Sequence, residues 1–481
     1  MNIIVAYCKT NNGIGFNNKL PWVLKNDLKN FQLITSKTVK SYTKNLVVMG
    51  RKTWESIPNK SKPLNNRINI ILTHNKSSEL KTKIESYKDT YVKYDFDDII
   101  KTCELNSEYN ISNIFIIGGE TIYKKAVESN YVSKIYVTEI YNTFECDTYF
   151  PKIDNSKYVL SYISKFNCEN NIYYRYLEYN KKTQNTIEWK NIPEEIYLKT
   201  LNKIITTGIE SDDRTGIGTL SIFGERFEYD LSDTFPALTT KKIFLRGIFE
   251  ELMLYISGKT DNTILNNKNI HIWDGNTSRE FLDNRGLYHY PENDMGETYG
   301  FNLRHYGAFY GTCKNNYNNK GFDQLQYVLY LIKNEPSSRR IIINLWNPAT
   351  QSKAALPACL CFYQFYVDTK NKKLNLQLYI RSSDFFLANN WNTLTGALLV
   401  NMICNLNDIN LTPGKLIVIT GDTHIYKNHL IQVKENLKRN PKPFPKLIFK
   451  ETKNDIYDYK YEDLELIDYN PHKNIKAPMA I

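Results

Sequence analysis

With 481 residues, 42% of them hydrophobic and 23% charged, the chain is long enough for two or three folded domains and too apolar to be a disordered polymer. Its net charge of +11 comes from Lys and Arg spread among Asn, Ile and Tyr, so a concentrated nucleic-acid face is not expected. No run approaches the roughly 18 apolar residues of a membrane span, and Met1 leads straight into a strand-like run, so a soluble, cytoplasmic chain without a leader is expected. The eight cysteines show no CxxC spacing and the seven histidines are scattered, so neither a disulfide framework nor a metal site is expected.

In chain order, apolar runs alternate with helical spacing. Strands are predicted at Ile3–Tyr7, Leu46–Met49, Ile68–Leu72, Ile114–Ile117, Ile135–Ile140 and Tyr173–Tyr179, and helices at Asp27–Thr35, Thr53–Ser56 and Thr121–Ser129. Residues 1–179 therefore predict an α/β domain around a central, mixed but mainly parallel sheet. Residues 180–191 are polar and aperiodic, a linker. From Pro193 an amphipathic helix (Ile196, Leu198, Leu201, Ile204, Ile205) opens a second domain, 192–481, of α+β type, with an Asn-rich surface loop at 314–319.

Several residues point to chemistry. Asp27 shares a helix face with apolar Phe31 and Ile34; it reads as a first-turn cap or as a carboxylate kept there for its proton. Gly118-Gly119 follows a strand and opens a helix, which suits a tight turn or a phosphate cradle. A second such turn, Gly50-Arg51-Lys52-Thr53, adds two cations and suggests a dinucleotide carrying an extra phosphate. The runs GIGFNNKLPW (13–22), VVMGRKTWESIP (47–58), PLNNR (63–67), IIGGETIY (116–123) and VTEIYNTFECDTYFP (137–151) resemble dihydrofolate reductase across the whole first domain. The resemblance implies that Asp27 binds the pterin and promotes its protonation at nitrogen 5, with Thr138 as hydroxyl partner. It implies that Arg67 binds the α-carboxylate of the folate tail, and that Ile4, Val5, Leu28, Phe31, Ile57 and Ile117 wall the pocket. For NADPH it implies Ala6, the loop residues Gly13, Ile14 and Gly15, then Arg51, Lys52, Thr53, Thr73, His74, Gly118, Gly119, Glu120, Thr121 and Tyr123. His74 stands where the family often places Arg, so the expected preference for NADPH over NADH rests on Arg51 and Lys52.

In the second domain four arginines, Arg214, Arg339, Arg340 and Arg381, suit either a bound dianion or surface ion pairs. Cys359 lies between apolar runs, where it is either an inert buried thiol or one activated by neighbouring cations. The runs TFPALTTKK (234–242), RGIFEELMLYISGKTD (246–261), IHIWDGNTSREFLD (270–283), TYGFNLRHYG (298–307), SSRRII (337–342), TGDTHIYKNH (420–429) and NPHKNIKAPMAI (470–481) resemble thymidylate synthase. That likeness implies that Cys359 adds to carbon 6 of the uracil ring of dUMP, and that Glu251 and Tyr299 support proton transfers. It assigns the phosphate to Arg214, Arg381 and Ser382, joined by Arg339 and Arg340 from the other subunit of a homodimer. It gives the uracil edge to Asn392, the ribose hydroxyl to His424 and Tyr426, and a border of the 5,10-methylenetetrahydrofolate site to Trp273, Asp384 and Ala480-Ile481; Ser383 is counted among the substrate contacts. Departures surround the nucleophile. Ala358-Cys359-Leu360 replaces Pro-Cys-His, Ile380 replaces Gln, residues 388–393 (ANNWNT) replace Gly-Leu-Pro-Phe-Asn-Ile, and Phe244 sits where some members have His.

Together these likenesses imply one bifunctional chain, dihydrofolate reductase followed by thymidylate synthase, in which the synthase leaves dihydrofolate and the reductase returns it to tetrahydrofolate with NADPH. One rival is a dCMP hydroxymethylase-like second half, opposed by Asn392 because the family associates Asp there with cytosine. The other is a nucleic-acid-binding protein on a degraded enzyme fold, opposed by Asp27, Cys359 and the four arginines.

Overall fold

A computed structural model describes every residue except 39, 41, 105–110, 214, 480 and 481. The chain divides into two compact units, Met1–Trp189 and Lys190–Ile481.

The first unit runs β1 (Asn2–Cys8), β2 (Gly13–Gly15), α1 (Lys25–Ser36), β3 (Lys44–Gly50), α2 (Arg51–Ser56), β4 (Arg67–Leu72), α3 (Ser78–Glu85) and β5 (Thr90–Lys93). It continues with α4 (Asp97–Glu104), β6 (Ile111–Gly118), α5 (Glu120–Glu128), β7 (Lys134–Ile140), β8 (Thr148–Tyr149), β9 (Tyr158–Ile163), β10 (Asn167–Glu169) and β11 (Ile172–Lys181). The main sheet has the order β10-β11-β7-β1-β6-β3-β4-β5, with β9 beside β11. From β7 through β5 every neighbouring pair is parallel, while β9, β10 and β11 are antiparallel additions. The near-continuous apolar runs follow from burial of both faces. Alternate residues feed opposite cores: Ile3, Val5 and Val48 enter one, and Ile4, Val47 and Met49 the other. The first unit's last strand runs to Lys181, and Trp189 donates its backbone N–H to Leu160 O at 2.9 Å.

The second unit begins with α6 (Ile192–Thr207), β12 (Ile209–Ser211), β13 (Thr219–Asp230), α7 (Leu245–Ile256), α8 (Thr263–Asn266), α9 (Asp274–Thr277), α10 (Arg279–Asn284), α11 (Tyr299–Arg304) and α12 (Gln324–Asn334). Then come β14 (Ile342–Asn344), β15 (Leu360–Asp368), β16 (Lys373–Asp384), α13 (Asn389–Cys404), β17 (Thr412–Tyr426), α14 (Leu430–Asn436), β18 (Lys446–Phe449) and β19 (Leu464–Ile467). Its six-stranded sheet has the order β12-β13-β17-β16-β15-β14, with β16 and β17 parallel and the other pairs antiparallel. One sheet face packs on α7 and α13 through Leu376, Leu378, Val418, Leu252 and Leu398. In α6 the buried stripe is Tyr197, Leu198, Leu201 and Ile204, and Ile196 faces outward, 41% exposed. The 314–319 segment is a loop, but Tyr317 turns inward to stack on Tyr310 with ring centroids 5.5 Å apart.

Candidate active sites

In the first unit a cleft of about 1420 Å³ opens at the C-terminal ends of β1, β3 and β6, where open α/β sheets bind ligands. It exceeds the roughly 300–1,000 Å³ of a typical single-ligand pocket, leaving room for two ligands side by side. Ile4, Val5, Ala6, Ile14, Gly15, Asp27, Leu28, Phe31, Ile57, Arg67, Ile117 and Thr138 line it, as do Arg51, Lys52, Thr53, Thr73, His74, Gly118, Gly119, Glu120, Thr121 and Tyr123. Gly13 is the exception. It pairs with Tyr149 in the β2–β8 ribbon, and a Cβ there would collide with Cys146, so its lack of a side chain serves packing.

Asp27 sits in the first turn of α1, 8% exposed, and accepts a 2.6 Å hydrogen bond from Thr138 Oγ1. Burial lifts its carboxyl from 3.8 to about 6; the Thr138 hydroxyl opposes the rise and the nearby Glu169 charge adds to it. Sequence reasoning missed Glu169. No side chain at Leu24 caps α1; instead the backbone N–H groups of Lys25 and Asn26 donate to the two Glu169 oxygens at 2.7 and 3.0 Å. Nothing local marks this, because the cap arrives from β10, more than 140 residues later. Arg67 is buried and aimed by its own bonds, with Nη1 donating to Thr35 Oγ1 at 2.6 Å and Nε to Asn65 O at 3.0 Å.

The two glycine turns adjoin. Gly118 has φ +127°, a conformation open to glycine, and a Cβ on Gly119 would lie 3.3 Å from Thr53 Oγ1. No side chain caps α2 or α5, so their first amides face the cleft without an internal acceptor. Bare amides, two cations and a hydroxyl fit the pyrophosphate and extra phosphate of a dinucleotide. Several side chains are partly committed: Arg51 pairs with Glu55 at 2.7 Å, Glu120 with Lys124 at 2.6 Å, and Tyr123 donates its hydroxyl to Ile4 O at 2.8 Å.

In the second unit Cys359 immediately precedes β15, and its N–H donates to the Tyr299 hydroxyl at 2.8 Å. Arg381, on the neighbouring strand, donates Nε to Ala358 O at 2.9 Å and Nη2 to Pro357 O at 3.1 Å, with Nη2 4.0 Å from Cys359 Sγ. Glu251 is buried in α7, where burial pushes its carboxyl up and indole donors from Trp391 and Trp273 oppose the rise. His424 is nearly buried, with Nδ1 2.7 Å from Asp422 Oδ1, and the Tyr426 ring stands edge-on to it at 5.2 Å. Ser382 is half-buried, whereas Ser383 is fully buried and donates to Asn389 Oδ1 at 3.3 Å. Asp384 Oδ1 accepts from the N–H of Leu387 at 3.0 Å. Asn392 lies in the first turn of α13, half-buried. Arg339 and Arg340 are exposed just before β14, away from the core. Arg214 and Ala480 fall outside the described residues, but the tail leading to Ala480 is held where His429 Nε2 meets Pro478 O at 2.7 Å. The departures beside the nucleophile are buried together: Leu360 and Ile380 are direct cross-strand partners, 2% and 0% exposed.

Comparison with known proteins gives two family matches, described as dihydrofolate reductase over residues 1–181 and thymidylate synthase over 195–481. A bifunctional dihydrofolate reductase-thymidylate synthase of Paramecium tetraurelia is 40% identical over 476 residues, covering 98% of this chain and 97% of that one. One of Zea mays is 38% identical, covering 98% and 95% of the two chains, and one of Plasmodium berghei (strain Anka) is 36% identical, covering 99% and 90%.

Proposed function

The chain belongs to the bifunctional dihydrofolate reductase–thymidylate synthases, and on that premise we propose that it makes dTMP and regenerates its own folate. The second unit methylates dUMP with 5,10-methylenetetrahydrofolate and leaves dihydrofolate, which the first unit reduces to tetrahydrofolate with NADPH. The observation that carries the reading is a buried carboxyl, Asp27, held by Thr138 in a two-ligand cleft, in a chain whose other unit sets a thiol beside a guanidinium.

In the reductase unit, Asp27 with a pKa of about 6 stays partly protonated near neutrality and can promote protonation of pterin nitrogen 5. Thr138 fixes the orientation of that carboxyl. Arg67, pre-aimed by Thr35 and Asn65, takes the folate tail carboxylate. Arg51, Lys52, Thr53, Thr73, His74 and the turn at Gly118–Thr121 would hold NADPH. When bound, NADPH supplies the hydride.

In the synthase unit, the Arg381 guanidinium puts positive charge beside Cys359 Sγ, which favours attack by the anion on carbon 6 of the ring. Asn392 reads the uracil edge because an amide both donates and accepts, and this opposes the cytosine-directed rival. Glu251 and Tyr299 carry the proton transfers. Arg381, Ser382 and Arg214 take the phosphate, and Arg339 and Arg340 reach the site of a second copy. A homodimer is supported by the sheet face opposite α7 and α13, where Phe362, Tyr379 and Ile419 align across β15, β16 and β17 without joining the core. Tyr379 in that row is 38% exposed. A cytoplasmic setting is supported by seven cysteines, from both units, that form no disulfide among the described residues.

Two variants test the assignment. Asp27→Asn should abolish most reductase activity at pH 7 and leave the synthase rate intact, and Cys359→Ala should do the reverse. Retention of reductase rate by the first, or of dTMP formation by the second, would refute the corresponding site.

A further inference from the structure

Glu251 lies in the middle of α7, and its two oxygens are each taken by an indole N–H from a different element. Trp273 Nε1 donates to Oε1 at 2.7 Å and Trp391 Nε1 to Oε2 at 2.6 Å. Trp273 is part of the synthase-like motif. Trp391 belongs to the departing stretch 388–393, at the position where that motif carries Phe, a side chain with no donor. The departure is not isolated. The Phe244 ring, itself a departure, packs edge-on against Trp391 with centroids 6.5 Å apart. A Cβ at Gly247 would fall 2.6 Å from Phe244 Cδ1 and 2.8 Å from Trp391 Cη2. The indole and the phenyl ring fill the space left by the bare position 247, with the Trp391 N–H on Oε2.

We propose that Trp391 is a positioning residue of the synthase reaction: it fixes the orientation of the Glu251 carboxylate and biases it toward the charged form. The inference rests on the reading of Glu251 as a proton-transfer group. Burial favours the neutral acid, and a donor to the carboxylate opposes that preference. The titratable groups facing Glu251 are the phenols of Tyr255 on its own helix, Tyr299 on α11 and Tyr363 on β15, all pushed up by burial, with Cys359 beyond Tyr299. Those phenols therefore stay neutral through the working pH range, and among the groups packed around Glu251 they do not compete with its carboxyl for a limb of the profile. Because Trp391 directly precedes Asn392 in the first turn of α13, one turn of helix sets both the carboxylate and the pyrimidine-reading amide.

The test measures synthase kcat and KM for dUMP against pH in the full chain for wild type, Glu251→Gln, Trp391→Phe, Phe244→Leu and Gly247→Ala. The acid-side limb that disappears in Glu251→Gln is the Glu251 limb. Trp391→Phe should lower kcat roughly tenfold or more, leave KM for dUMP within about threefold and move the Glu251 limb up by about one pH unit. Phe244→Leu keeps the N–H and should keep the wild-type limb. An unmoved limb in Trp391→Phe, or an equal shift in Phe244→Leu, overturns the inference. An unaltered rate in Glu251→Gln overturns instead the reading on which it rests. Reductase rate and dUMP binding report folding in the same samples. If Trp391→Phe no longer binds dUMP, Gly247→Ala decides, since it crowds the indole without removing a polar group: a raised limb supports the proposal, and an unmoved limb or lost dUMP binding overturns it.

Discussion

Asp27 combines function with a cost in stability. Its carboxyl binds a proton more tightly in the fold, at about 6, than at its ordinary 3.8. Stability therefore falls as pH rises from about 4 to about 6 and stays lowered above that, by on the order of 2–3 kcal/mol at pH 7. Asp27→Asn removes this penalty and still offers an oxygen to Thr138. Thermal melts should find the reductase unit of the variant more stable at pH 7 and equal to wild type near pH 4; equal melting temperatures at pH 7 would contradict the burial argument. Asp27 was legible in the sequence because a carboxylate at apolar helical spacing is anomalous in one short window. The packing role of Gly13 was not, since the obstruction is Cys146, brought close by the β2–β8 ribbon. Trp391 lay in a stretch already recognised as unusual, but only the fold reveals that its N–H meets a carboxylate on another helix.

At the level of elements, α1 depends on β10. Glu169 supplies the cap that Leu24 cannot, and its charge also raises Asp27. Two substitutions separate these effects. Glu169→Gln removes the charge and keeps one of the two accepting oxygens, so the pH above which the reductase rate falls should move down while part of the cap is retained. Glu169→Ala loses both, and should show the same downward shift together with a loss of roughly 1 kcal/mol in denaturant melts. An unmoved pH profile in both variants would remove Glu169 from the electrostatics of the site. The parallel strands were legible as apolar runs, because both faces are buried and no alternation competes with that signal. The short strands β5, β9 and β10 and the helices α3 and α4 were not, being brief and half-exposed elements held by pairing with distant partners. Leu360 and Ile380 looked like separate departures in the sequence; cross-strand register makes them one apolar pair beneath the nucleophile.

At the scale of the whole molecule, the proposed homodimer would cover the sheet face of Phe362 and Tyr379 and bring the exposed Arg339 and Arg340 to the site of a second copy. Cys359→Ala and Arg340→Ala, each inactive alone, should complement when subunits exchange. About half of the dimers are then mixed, each with one intact site, so roughly a quarter of wild-type synthase activity should return. No recovery despite demonstrated exchange would place Arg340 in its own chain's site. The claim that one chain performs two linked reactions is tested most directly by following purified protein at the NADPH absorbance band with dUMP and 5,10-methylenetetrahydrofolate. Without NADPH, dihydrofolate should accumulate in equal amount to dTMP; once NADPH is added, its oxidation should depend on dUMP and match dTMP one for one. NADPH oxidation independent of dUMP, or dTMP formed without dihydrofolate, would contradict the account.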